Sequence, residues 1–441
     1  MMMANRPDLS GFDRRGFLGG AARLGAGAVA AGLAGPAFAA VEPVPAVWRG
    51  VHALIGRYVG QKTLPGAAAA VARGTGAAYF LSAGTLARGS AADVGPDTLY
   101  RIYSMTKPVT GIAAMMLVED GRLGLDQNIA DFIPGFASPR VLVDPAAGLD
   151  SRPAQGPITV RHLLTHTAGL GYTIVTKGPL RDAYFRLGLT PFAVSRLKLP
   201  DQPEAVPAPS LAEFADRLAT LPLIADPGTR WSYSVSLDLL GRVIELASGM
   251  AFDAFLDARL FRPLGMSSSF FTVPAAELPR LVTNYYLTDR AELPIDGGRS
   301  SVFADKPAFP FGGSGLVTSP RDYDRFLQML AGEGAIGDVR VMRPETARLA
   351  MSNLLPDGAS TAGTNVAGQG FGAGGRVTLA ATPAAAGLGS GPGTFGWGGA
   401  AATVAFVDRA RGVRASGFAQ YMPDTRHRFT REFIAAVYEG L

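Results

Sequence analysis

The sequence predicts a mixed α/β (α+β) fold in which one sheet is assembled from both ends of the chain and a mostly helical region is inserted between them. Three observations carry this. Apolar, strand-like segments cluster near the N-terminal side and recur in the last third, while the middle reads as helices broken by many prolines. The sheet part then covers about 46–120 and 305–441, and the helical part about 121–304.

In chain order, a Pro-rich linker (Val41 to Pro45) leads to a short amphipathic helix from Trp48 to Gly60. Ala67–Ala72 and Ala78–Ser82 flank Gly74-Thr75-Gly76, a hairpin pattern. A third extended segment, Thr98–Tyr103, runs straight into a helix. There Val109, Ile112, Ala113, Met116 and Leu117 recur at helical spacing, Pro108 sits in the first turn, and Gly121 stops the run. Further helices are expected at Leu211–Leu221, Leu237–Ser248, Asp322–Leu330 and Thr430–Tyr438. Ala402–Val407 and Val413–Phe418 read as strands. Gly370-Phe371-Gly372 and Val377-Thr378-Leu379 read as strand edges beside a site.

Composition bounds the function class. The 441 residues are 48% hydrophobic and 17% charged, as in a folded globular protein. Asp13-Arg14-Arg15-Gly16-Phe17-Leu18 is a twin-arginine pattern, followed by a small and apolar run and by Ala37-Phe38-Ala39, an A-x-A cleavage site. Residues 1–39 are therefore expected to be an export signal cleaved after Ala39, with a periplasmic or extracellular mature chain and no stable membrane anchor. That segment holds four arginines and two aspartates, so its removal takes the formal charge from +5 to +3. No Lys/Arg cluster with interleaved aromatics points to nucleic acid. With no cysteine, thiolate chemistry and thiolate metal sites are excluded.

Ser104-Met105-Thr106-Lys107 is the chemical pivot. Ser and Lys at i and i+3 share a helix face. A serine at a helix N-terminus meets outward-pointing N–H groups and the positive end of the dipole, which suits an oxyanion. The lysine can act as base for the serine when burial disfavours its charged form. The tetrad alone is weak, since Ser195-Arg196-Leu197-Lys198 repeats its spacing. No strand precedes that copy and Pro200 follows it, so it reads as the end of a surface helix. Tyr233, in Trp231-Ser232-Tyr233-Ser234-Val235-Ser236, sits where a loop enters a helix, placed to serve as general base and later acid. Gly396-Trp397-Gly398-Gly399-Ala400 allows close approach of a ligand to a strand edge, with the Ala400 N–H as second oxyanion donor beside that of Ser104. His162 and His166 have the i, i+4 spacing of a zinc pair but lack the intervening Glu, so a structural role is expected and no metal or cofactor is implied. No G-x-S-x-G elbow or Walker A loop is present.

These motifs resemble those of the serine β-lactamase-like family, which includes class C β-lactamases, penicillin-binding carboxypeptidases and related esterases. Ser104–Lys107 resembles its S-x-x-K, Tyr233-Ser234-Val235 its Y-x-N, and Trp397-Gly398-Gly399 stands where the lactamases carry K-T-G. Arg161–Leu170 and Gly312–Ser319 are similar to two further family signatures. The match runs from about Leu64 to the C-terminus, and W-G-G looks like the family VIII carboxylesterase version. The resemblance implies an antiparallel sheet flanked by helices plus a helical region, with the site in the cleft between. It implies Ser104 as nucleophile, Lys107 and Tyr233 as its activators, and Val235, Trp397, Gly398 and Gly399 at the substrate. Val235 replaces the Asn that contacts the lactam amide, and Trp397 replaces the Lys that holds the substrate carboxylate. The expected substrate is accordingly a small acyl ester, short in its acyl chain. A β-lactamase or D-alanyl-D-alanine carboxypeptidase, an acyltransferase and, last, a non-catalytic binding module are the alternatives on the same fold.

Overall fold

The two ends of the chain meet in one sheet. The computed structural model describes residues 44–197, 205–380 and 391–441; the twin-arginine segment, the Ala39 cleavage site, most of the Pro-rich linker and Lys198 lie outside them. The elements that place the site are helix α1 (Arg49–Gly60), strands β1 (Gly66–Arg73), β2 (Tyr79–Gly84) and β3 (Tyr100–Arg101), helices α2 (Thr106–Glu119), α3 (Val160–Leu164) and α4 (Ser236–Ser248), strand β4 (Val317–Thr318), helix α5 (Pro320–Ala331), strands β5 (Gly370–Phe371), β6 (Arg376–Val377), β7 (Phe395–Gly399), β8 (Thr403–Asp408) and β9 (Val413–Phe418), and helix α6 (Phe429–Glu439). The main sheet has the order β5-β6-β7-β8-β9-β1-β2. Every pair is antiparallel, and β1 joins β9 with Ala68 opposite Phe418.

The period-two pattern of these strands explains why helices cover both faces. Ala67, Ala69, Val71, Val404, Phe406, Val413 and Ala415 pack with Val51, Leu54, Ile55, Phe433 and Val437 of α1 and α6. Ala68, Ala405, Val407 and Phe418 face the larger core with α2, α4 and α5. The alanines of β1 keep the sheet thin enough for helices to close on both sides. Helix α2 is buried from Thr106 to Leu117, as its nearly all-round apolar sequence requires. It lies against β7, α4 and the helix Pro344–Ala350.

Three expectations change. Of Thr98–Tyr103 only Tyr100–Arg101 is strand, and it pairs with Val317–Thr318 outside the main sheet. The reason is Arg101. Its buried guanidinium donates to Asp296 Oδ2 (2.6 Å), the Val282 carbonyl (2.6 Å), the Asp296 carbonyl (3.2 Å) and Ser301 Oγ (3.1 Å), which pulls the chain off the sheet. Second, Ser195 does not end a helix. It lies in an irregular segment after Pro191, and its hydroxyl donates to the Ile295 carbonyl and accepts from Leu197 N–H. Third, the helical region contributes strands of its own: Asn284–Leu287 pairs with Glu292–Asp296 and, in parallel, with Tyr421–Met422. No helix among the described residues is long and apolar enough to cross a membrane.

The Arg101–Asp296 pair has side chains 0% and 1% exposed, and Ser301 Oγ and Val302 N–H complete the carboxylate's hydrogen bonds. Removing one partner of such a pair leaves an uncompensated buried charge. Asp296→Ala should therefore lower the free energy of urea unfolding by about 3–5 kcal/mol, far more than removal of the exposed Asp305 partner of Arg196.

Candidate active site

Ser104 stands where the chain turns from β3 into α2. Its predecessor Tyr103 has φ +40°, a backbone conformation unfavourable for a bulky residue. Burial and a hydrogen bond from Asn284 Nδ2 to the Tyr103 hydroxyl (3.0 Å) hold it there. A short 3-10 turn, Tyr103–Met105, then enters α2, so Ser104 tops the helix as its sequence position requires.

Lys107, one turn on, is fully buried. Its Nζ donates to the Gly313 carbonyl at 2.7 Å and to Ser104 Oγ at 3.3 Å. The Tyr233 hydroxyl donates to the same Oγ at 2.7 Å. Lys107 Nζ also lies 4.5 Å from the Tyr233 ring centroid and 5.5 Å from that of Tyr172, so aromatic faces share the burden of a buried cation. The structure thus brings Ser104, Lys107 and Tyr233 together at one oxygen.

The Gly313 backbone makes two contacts here, one from each flanking peptide group. Its N–H donates to Asp238 Oδ1 at 2.8 Å while its carbonyl holds Lys107. A Cβ on Gly313 would lie 2.5 Å from Asp238 Oδ2, and one on Gly312 2.5 Å from the Leu237 carbonyl. These contacts explain the glycines in Gly312–Gly315: α4 and this loop meet with no room for side chains. Thr110 Oγ1 to the Gly312 carbonyl (2.7 Å) and Leu316 N–H to Thr106 Oγ1 (3.1 Å) fix the loop to α2. Asp238 is absent from the motif reading. Its one signal is an acid inside the apolar run Leu237–Leu240.

Trp397 and the glycines after it form one wall. The Trp397 indole N–H points at the Tyr233 hydroxyl (3.4 Å), and its ring packs against Tyr233 and Phe371. A Cβ on Gly399 would come 2.3 Å from both the Ile102 carbonyl and Thr403 Oγ1, whereas one on Gly398 would meet only Thr403 O at 3.2 Å. Gly399 is thus what lets β7 approach the turn carrying Ser104. Ser104, Tyr233, Trp397, Gly398, Gly399 and Ala400 line one cavity of about 550 Å³, together with Asn365 and Arg376. A neighbouring cavity of about 900 Å³ shares Tyr233 and Asn365 with it and has Trp231, Leu180 and Ile224 among its walls.

Val235 is a correction. Its side chain is fully buried in the main core and lines neither cavity. Val235 is the residue before the first turn of α4, and its N–H bonds the Gly171 carbonyl at 3.2 Å, which turns the side chain inward. The two histidines serve different neighbours. His162 Nδ1 accepts from Thr159 N–H in a capping box at the start of α3, and burial lowers its pKa to about 4. His166 pairs with Ser234 (2.9 Å) beneath the Tyr233 ring, and burial and the nearby Lys107 hold its pKa well below 6.5.

Burial pushes the Asp238 carboxyl up to about 6, against the opposing pull of Lys107 and the Gly313 N–H. Between the ordinary carboxyl value and about pH 6, the folded chain therefore holds a proton that the unfolded chain has released. This group's contribution to stability falls as pH rises through that window. In Asp238→Asn that term is gone, so unfolding free energy measured in urea from pH 4 to 6 should climb more steeply with pH than in the parent chain. An identical slope would refute the assignment.

The Beta-lactamase family matches residues 51–439. Protein Rv1367c of Mycobacterium tuberculosis is 36% identical over 336 residues, 74% of this chain and 79% of its own. Esterase EstB of Burkholderia gladioli is 33% identical over 369 residues, 80% of this chain and 85% of its own. Among solved structures, EstCE1, a hydrolase with promiscuous acyltransferase activity, superposes with a TM-score of 0.72 at 25% identity, covering 89% of this chain and 98% of its own. The chain belongs to the beta-lactamase family and is a serine hydrolase built on the serine β-lactamase-like fold.

Proposed function

We propose that the chain is an exported carboxylesterase that cleaves small, short-chain carboxylic esters through an acyl-enzyme on Ser104. The observation that carries this reading is the meeting of Tyr233 (2.7 Å) and Lys107 (3.3 Å) at Ser104 Oγ, in a cavity walled by Trp397. With Lys107 as the free amine, Nζ takes the Ser104 proton, relayed through the Tyr233 hydroxyl, as Oγ attacks the ester carbonyl. The backbone N–H groups of Ser104 and Ala400 receive the developing oxyanion. Tyr233 returns the proton to the leaving alcohol, and a water then repeats the sequence to release the acid. The Trp397 ring, closed against Tyr233 and Phe371, narrows the wall beside the nucleophile, which favours short acyl groups. The kinship with Esterase EstB supports ester chemistry.

A second reading, acyl transfer to an alcohol, is favoured by the larger cavity that meets the first at Tyr233 and Asn365. It offers an acceptor room beside the acyl-enzyme, and EstCE1 is described with that side activity.

One set of assays separates these readings. Ser104→Ala should lower kcat/KM for 4-nitrophenyl acetate by at least about 10³-fold and abolish labelling by a fluorophosphonate. Retention of full ester hydrolysis by Ser104→Ala would refute the proposal. Faster turnover of a chromogenic cephalosporin than of the ester would favour the lactamase, and new ester products on adding alcohols would favour the transferase. Export is read by fractionation: Arg14→Lys combined with Arg15→Lys should leave uncleaved chain in the cytoplasm, and unaltered export would remove the twin-arginine assignment.

A further inference from the structure

Arg376 is a half-buried cation that the proposed mechanism does not use. It lies on β6, opposite Gly396 of β7. Directly opposed residues project to the same face of a sheet, and Gly396 presents no side chain to the guanidinium. Arg376 lines the cavity that holds Ser104, Tyr233 and Trp397. Its Nε is buried without a hydrogen-bond partner, and its Nη1 reaches only the Asn365 carbonyl, at 3.4 Å. Among the described residues no carboxylate pairs with it, and the neighbouring segment 381–390 contains no Asp or Glu. Among the described residues the fully buried guanidiniums are treated differently: Arg101 is paired with Asp296 and Arg414 with Asp324.

A cation partly withdrawn from water, with a buried N–H left unpaired, is stabilised when an anion reaches it. Burial already pulls the guanidinium pKa down to about 10, which leaves it charged at neutral pH. The surroundings do not supply the anion. The other charged residues of this cavity are Arg431 and Asp424, and among the described residues no ion pair or hydrogen bond joins Asp424 to Arg376. The adjoining cavity adds Lys177 and Arg230 and no acid. The whole cleft is therefore cationic, and its most buried cation sits where the two cavities share Asn365.

We infer that Arg376 is a specificity residue that binds a carboxylate carried by the ester substrate, away from the scissile bond. The preferred substrates are then anionic carboxylic esters rather than neutral ones. A guanidinium presents a planar fork that matches a carboxylate in two hydrogen bonds. This inference rests on the Ser104 esterase reading and deepens it by naming the substrate class.

The test compares matched pairs of esters. 4-Nitrophenyl hydrogen glutarate against 4-nitrophenyl pentanoate places the charge on the acyl side. 4-Acetoxybenzoate against methyl 4-acetoxybenzoate places it on the alcohol side. In the parent chain one anionic ester should exceed its neutral partner in kcat/KM. Arg376→Met should lower that anionic-to-neutral ratio by about 10- to 100-fold, mainly through KM, the worth of a charge-assisted hydrogen bond. Arg376→Lys should restore part of it. The pair that responds tells whether the acyl or the alcohol portion bears the carboxylate. Absence of any anionic preference in the parent chain overturns the inference without requiring a variant to fold, as does an unchanged ratio in Arg376→Met. Failure of the underlying reading looks different: no ester is cleaved, or Ser104→Ala cleaves them as well as the parent chain.

Discussion

A lysine side chain in the interior has to have its polar end held from every side, and the site is arranged around that demand. Lys107 cannot reach water, so the Gly313 carbonyl, Ser104 Oγ and the faces of Tyr172 and Tyr233 surround it. The Gly313 N–H, in the preceding peptide group, bonds Asp238, which places a carboxyl near Lys107 without a direct hydrogen bond. Much else follows from this. Gly312, Gly313 and Gly315 lack side chains because α4, the loop and Phe271 occupy that space. Thr106 and Thr110 sit on the α2 face that grips the same loop. The lysine beside Ser104 thus lies where three distant segments meet.

Legibility in the sequence tracked how local each signal was. The strands of the main sheet and the helix after Ser104 were readable because burial on one or both faces imprints a period of two or of 3.6. Ser104, Lys107 and Tyr233 were readable because motifs in order restrict one another, while the copy at Ser195 shows how little a single tetrad says. The residues missed depend on contacts between segments far apart in the chain. Nothing near Thr98–Tyr103 announces that Arg101 will be drawn away by Asp296. Val235 stands in a motif position yet faces the core, because the direction of a side chain at a helix entrance is set by packing. Asp238 and Arg376 are single charged residues in apolar or glycine-rich surroundings. Such residues become informative only when the cavity or the partner beside them is seen.

Trp397 links the family likeness to the chemistry of this member. It stands where lactamases of the family place a cation, and that exchange alters more than charge. An indole both walls the cavity and directs its N–H at the Tyr233 hydroxyl. The positive charge of this cavity comes from other elements, Arg376 on β6 and Arg431 on α6.

The pairing of β1 with β9 has a consequence for how the protein is made. Strand β1 emerges early in synthesis, and its partner across Ala68 and Phe418 emerges almost last. Until then β1 has an open edge along a nearly uninterrupted apolar segment, a template for mispairing with other chains. Contacts between such distant segments also slow folding, because a long loop must close before they form. Truncation near the C-terminus would remove the partner of an N-terminal strand and damage the molecule at both ends at once.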